Sequence, residues 1–217
     1  MLRAAIFDFD GTLTPLTLDF GQLRAHIETF AEDYVDRSVI DTLKGEYILE
    51  MIHSIADMIG DGGSQFQKDA FRELDILEVE SCRGKRLYPY AREVLAYLKE
   101  KDVHTGIITR SCLEVIHAIF PDCRNYVDVV VTRDDTRYVK PDPEQLRIAV
   151  HGLNIEPFRA IIVGDHPTDI AAGVALGTTT AGVLSGRCSR PDFINAGADY
   201  IFDDIRGIKE LDFSARH

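Results

Sequence analysis

The stretch Ala4-Ala5-Ile6-Phe7-Asp8-Phe9-Asp10-Gly11 constrains the chain more than any other. A short apolar run closed by a breaker reads as a buried strand. Side chains alternate along a strand, so Asp8 and Asp10 point to one side of its carboxyl end and Phe9 to the other. Two carboxylates held that close repel each other and resist desolvation, so the pair makes sense around a divalent cation or a shared proton. Oxygen-only ligands favour a hard cation such as Mg²⁺. Gly11 permits a sharp turn and lets backbone N–H groups approach an anion. A lone D-x-D is more often two solvated acids before a turn. Here it is followed by Gly-Thr-Leu-Thr and by three further signals downstream.

The chain then changes texture twice. From about Asp19 to Lys85 no strand pattern stands out. Phe20, Leu23, Ile27 and Phe30 recur at helical spacing. Ser38 with Asp41 resembles a capping box opening one helix through Leu43, Tyr47, Met51, Ile55 and Met58, which Gly60 to Gly63 break. Ser64 with Gln67 repeats the capping pattern before Phe66, Ala70, Leu74 and Leu77.

From Leu87 strands and helices alternate: a helix starting at Tyr88-Pro89, a strand over Thr105–Thr109, a helix over Leu113–Phe120 and a strand over Tyr126–Thr132. A helix from Pro143 to Val150, a strand over Ala160–Gly164, a helix over Ile170–Leu176 and a strand over Thr178–Val183 follow. A helix over Arg190–Ala196, stopped by Gly197, and a strand over Tyr200–Phe202 end the pattern. Such alternation predicts an α/β fold with a doubly wound parallel sheet, built from residues 1–15 and 87–217, and a helical insertion over 16–86.

Ligands of such sheets bind beyond the carboxyl ends of the strands. Those ends carry Asp8 and Asp10, then Thr109, then Asp165 and Asp169, with Lys140 in the loop Lys140-Pro-Asp-Pro before a helix. Singly, each reads as structural: strand-end β-propensity, a solvated lysine, cap and turn acids. In this order they supply what phosphoryl transfer requires, namely a nucleophile, a metal site, donors for the phosphoryl oxygens and an acid/base.

Asp8-Phe-Asp10-Gly-Thr-Leu, Ile107-Ile108-Thr109, Lys140-Pro-Asp-Pro and Gly164-Asp165-x-x-x-Asp169 resemble the four motifs of the haloacid dehalogenase (HAD) superfamily, in particular its phosphoglycolate-phosphatase-like members. The resemblance implies a Mg²⁺-dependent phosphatase acting on a small soluble phosphomonoester, with residues 16–86 as a helical cap. It implies that Asp8 attacks phosphorus and that Asp10 serves as acid and base. It implies that Mg²⁺ is held by Asp8, the Asp10 carbonyl and Asp165, that Asp169 supports it from behind, and that Thr109 and Lys140 hold the phosphoryl group. It also implies that the Asp8 strand lies between those of Thr109 and Asp165. Three positions depart from the family pattern. His166 replaces the usual Ser or Thr and reads as an idle surface residue, with a hydrogen-bonding role beside the site as the alternative. Arg110 follows Thr109, as a contact to substrate or to a neighbouring acid. Thr14-Pro15 replaces an acidic hinge.

A net charge of −12 argues against nucleic acid or an anionic membrane as partner. The cysteines Cys82, Cys112, Cys123 and Cys188 form no C-x-x-C pair and read as reduced thiols. Neither a leader nor an apolar run of spanning length is apparent, so the expected setting is cytoplasmic, as monomer or homodimer. Two alternatives remain at this point. One is a phosphomutase of the same fold. The other is a non-enzymatic phospho-accepting switch, which would lack both the insertion and an acid two residues past the phosphorylated aspartate.

Overall fold

The structure is a computed structural model that describes residues 1–16 and 18–213; Thr17 and residues 214–217, which fall within the expected cap and core ranges, lie outside the described residues. Leu18–Arg83 forms one compact unit, and the chain before and after it forms a second.

The second unit is built on six strands: β1 (Ala4–Phe7), β2 (His104–Ile108), β3 (Val129–Val131), β4 (Ala160–Gly164), β5 (Thr179–Val183) and β6 (Tyr200–Phe202). They lie in the order β3-β2-β1-β4-β5-β6, with every pairing parallel. β1 is the hinge of this order, with Phe7 in register with Ile107 on one side and Val163 on the other. The expected position of β1 between the strands leading to Thr109 and Asp165 is therefore what is seen.

Strands of this kind must be apolar on both faces, and all four residues of β1 are fully buried. Ala4 and Ile6 join Ile108, Ala160 and Ile162 in a core that also takes Leu146, Ala149 and Val150 from α7 (Glu144–Gly152). The remaining helices of this unit are α5 (Ala91–Glu100), α6 (Leu113–Ile119), α8 (Pro167–Leu176) and α9 (Arg190–Ala196). α8 packs on β4 and β5, and α5 packs on β2.

The helical unit holds α1 (Phe20–Ala31), α2 (Arg37–Asp41), α3 (Ile48–Ile59) and α4 (Gly63–Ser81). Leu23 and Ile27 of α1, Met51, Ile52 and Ile55 of α3, and Phe66, Ala70 and Leu74 of α4 are buried. The single helix expected from Ser38 to Met58 is two helices. Between them Arg24, on α1, donates to the carbonyls of Leu43 and Glu46. That long-range guanidinium satisfies backbone groups that would otherwise favour a continuous helix. Neither expected capping box forms: the N-cap positions are Asp36 and Gly62, with no side-chain cap. No described helix is long and apolar enough to cross a membrane, and no disulfide joins the described cysteines.

Candidate active site

Asp8 and Asp10 directly follow β1. The chain then folds back on itself: the Leu13 and Thr14 N–H groups both donate to the Phe9 carbonyl, and Gly11 N–H donates to Thr14 O. Gly11 takes φ +87°, and a Cβ there would lie 2.2 Å from Asp165 Oδ2. A Cβ on Gly186 would lie 1.8 Å from the same oxygen. Two glycines from distant loops thus open the space that the Asp165 carboxylate fills, at the end of the neighbouring strand β4. Ser185 Oγ ties the two loops together by donating to Gly11 O at 2.7 Å.

On the other side of Asp8 lies Lys140, 2 % exposed. Its ammonium donates to Asp8 Oδ1 at 2.5 Å and to Asp169 Oδ1 at 2.6 Å. Burial works against the charged lysine, but the charges of Asp169 and Asp8 outweigh it and hold the ammonium above the ordinary lysine range. Gln145, also fully buried, locks the lysine in place. It accepts from Lys140 N–H and donates to the Thr109 carbonyl. Thr109 is buried at the end of β2, with its hydroxyl oxygen accepting from Ser111 N–H.

The expected residues are therefore brought together: Asp8, Asp10, Thr109 and Asp165 lie at the carboxyl ends of β1, β2 and β4, Lys140 in the loop before α7, and Asp169 in the first turn of α8. Arg110 turns its guanidinium onto the Lys140 carbonyl. His166 is the N-cap of α8 and not an idle surface residue. Its Nδ1 accepts from Thr168 N–H at 3.2 Å, and its own N–H donates to Asp169 Oδ2 at 3.1 Å. Burial lowers the pKa of this imidazole, consistent with a ring nitrogen used as acceptor. Asp169 consequently has two duties, closing the capping box with one oxygen and gripping Lys140 with the other.

Several contributors escaped the sequence reading. Ser111 Oγ donates to Asp10 Oδ2 at 2.8 Å, and Thr12 Oγ1 donates to Asp8 Oδ2 at 3.3 Å. Ser111 stands two residues past Thr109, as Asp10 stands two past Asp8, and that parallel spacing was a usable signal. Gly186 and Gln145 carried none, because their roles arise only through chain reversal.

Charge is unevenly compensated. Asp8, Asp165 and Asp169 offer carboxylate oxygens within 4.8 Å of one another. Lys140 neutralises the Asp169 side. On the Asp165 side burial and the nearby Asp8 charge push the Asp165 carboxyl up to about 9. Burial likewise pushes Asp8 up to about 7 in spite of Lys140. Burial raises Asp10 too, opposed by the Ser111 hydrogen bond and by the charges of Lys140, Lys85 and Arg133. Asp165, set between two glycines and in no ion pair among the described residues, together with the neighbouring Asp8, fits a hard divalent ion.

Comparison with known proteins agrees with this geometry. A model of the haloacid dehalogenase-like hydrolases matches residues 2–177. A pyrophosphatase PpaX of Oceanobacillus iheyensis is 26% identical over 213 residues, spanning 95% of this chain and 95% of that protein. A phosphoglycolate phosphatase of Rhodospirillum rubrum is 28% identical over 224 residues, spanning 96% and 90%. In three dimensions a hydrolase from Pseudomonas syringae superposes with a TM-score of 0.69 at 22% identity, covering 97% of this chain and 99% of that one, which supports the fold. With its motif residues gathered at adjoining strand ends and the family model spanning most of its length, the chain belongs to the haloacid dehalogenase-like hydrolases.

Proposed function

We propose that the protein is a Mg²⁺-dependent phosphatase that cleaves a small soluble phosphomonoester or short phosphoanhydride through an aspartyl-phosphate intermediate. The observation that carries this reading is Asp8: a buried carboxylate at a strand end, with one oxygen held by Lys140 and the other by Thr12. The named activities of the relatives, a pyrophosphatase and a phosphoglycolate phosphatase, point the same way.

In this reading Asp8, the Asp10 carbonyl and Asp165 would hold Mg²⁺, supported by Asp169. The ion would supply charge neutralisation for a phosphoryl group among carboxylates. An Asp8 oxygen attacks phosphorus while the bond from phosphorus to the leaving oxygen breaks. Asp10, kept protonated more readily by burial and oriented by Ser111, gives its proton to that oxygen. Asp10 then takes a proton from water as the water oxygen attacks phosphorus; the bond to Asp8 breaks and phosphate is released. Thr109 and Lys140 hold the transferring oxygens. The helical insertion over residues 16–86 is the cap domain of this reading.

The test is hydrolysis of p-nitrophenyl phosphate and a panel of small phosphate esters with Mg²⁺. Asp8→Asn is expected to lower kcat on the order of 10³-fold or more, as when one member of a catalytic unit is removed. Turnover by that variant within about tenfold of wild type would remove Asp8 as nucleophile.

A further inference from the structure

A second lysine near the site is unaccounted for by this chemistry. The Lys85 ammonium nitrogen is buried and has no hydrogen-bond partner among the described residues. Lysine ordinarily threads its charge out to water. A buried ammonium without a partner is costly, and a native chain rarely carries one without a purpose.

Its surroundings show where that purpose lies. Thr14 Oγ1 donates to Arg86 O at 3.0 Å, and Tyr88 N–H donates to Leu13 O at 2.9 Å. Tyr88 Oη continues the seam by donating to Ser185 O at 3.0 Å. Lys85 is thereby fastened to the loop that follows Asp10, and its charge acts on Asp10. It makes no hydrogen bond to that carboxylate, whose Oδ2 accepts from Ser111. Lys140, by contrast, is committed to Asp8 and Asp169.

Asp10 is the residue that meets the leaving oxygen in the reading above, so a cation beside Asp10 sits on the leaving-group side. The four acids of the site would repel a leaving group that is itself anionic unless a cation stood there to receive it. We propose that Lys85 selects for substrate: its ammonium binds an oxyanion, carboxylate or phosphate, carried by the leaving group close to the scissile bond. The inference rests on the phosphatase reading and narrows it to esters and anhydrides with a charged leaving group.

The experiment compares phosphoglycolate and pyrophosphate with 2-hydroxyethyl phosphate, which matches phosphoglycolate in size but has a neutral leaving group. Charge-assisted hydrogen bonds in buried sites correspond to about 10- to 100-fold in affinity. The ratio of kcat/KM for phosphoglycolate to that for 2-hydroxyethyl phosphate is therefore expected to fall about 10- to 100-fold in Lys85→Met and less than about 3-fold in Lys85→Arg. The pyrophosphate arm tells whether phosphate, carboxylate or both are received. An unchanged ratio in Lys85→Met, or an equal loss on every substrate, overturns the proposal; the equal loss would make Lys85 a residue that positions Asp10. Dissociation constants of the two esters with Asp8→Asn protein give the same ratio without turnover. A wild type that hydrolyses nothing would defeat the phosphatase reading, while that binding ratio would still decide for or against Lys85.

Discussion

The two flanks of Asp8 are built on opposite principles. On one, Lys140 sits between Asp8 and Asp169 with its charge matched and its backbone held by Gln145. On the other, Asp165 fills a cradle between Gly11 and Gly186 and faces Asp8 with no ion pair of its own among the described residues. The difference teaches that one carboxylate can have its charge matched on one flank and opposed on the other; in the reading proposed above, Mg²⁺ would meet the second flank.

Removing the internal cation tests this contrast most severely. Lys140→Met leaves Asp8 and Asp169 buried without their counter-ion, and breaking a buried pair in this way costs about 3–5 kcal/mol. The midpoint of thermal unfolding is expected to drop by roughly 6–20 °C for a chain of this length. A drop under about 2 °C would show that the lysine flank is not structural. Asp165→Asn is expected to have the opposite sign in the metal-free protein. It keeps the cradle filled with a side chain that is neutral without binding a proton, which the folded Asp165 must do at pH 8 and the unfolded one need not, so the midpoint at pH 8 should rise by at least about 2–4 °C, on the order of 1 kcal/mol or more. The same variant should lose the stabilisation that millimolar Mg²⁺ gives the wild type. A metal-free midpoint that falls, with the Mg²⁺ response intact, would erase the distinction between the flanks.

The smallest effect is in pH. Both Asp8 and Asp165 have folded pKa values above the unfolded value of 3.8, at about 7 and about 9. Above 3.8 these two groups bind more protons in the folded chain than in the unfolded one, so their contribution to metal-free stability is greatest below 3.8 and is lost as pH rises from there through 7 and then 9. Mg²⁺ competes with those protons and should raise the unfolding midpoint more at pH 8.5 than at pH 6. Scanning calorimetry at the two values, with and without Mg²⁺, measures this. A Mg²⁺ shift that is larger at pH 6 would contradict the assigned protons.

Much of this arrangement was legible in the chain. The apolar run before Asp8, the β/α alternation from Leu87 and the strand-end rule put Asp8, Thr109 and Asp165 at strand ends; that their strands adjoin followed from the resemblance to the haloacid dehalogenase superfamily. What could not be read depends on residues far apart in sequence. Arg24 breaks the helix expected after Ser38 because it reaches carbonyls about twenty residues away. Local capping patterns at Ser38 and Ser64 lost to tertiary context. His166 looked idle because imidazole is an uncommon cap, although the Asp three residues on was a clue to the capping box. Gly186 and Ser185 acquire meaning only once β5 brings them to Gly11.

The position of β1 has a consequence for how the molecule is made. Ala4 pairs with His104 on one side and with Ala160 on the other. At a synthesis rate of about 5–20 residues per second, roughly 5–20 s separate the emergence of this strand from that of its first partner. During that interval an apolar segment of the future sheet has no neighbour to pair with, while Leu18–Arg83 is already synthesised and rich in local helical contacts. The ribosome therefore releases the acid-bearing strand early and its charge partners late, so Asp8 stays in water until Lys140 and Asp169 exist to receive it.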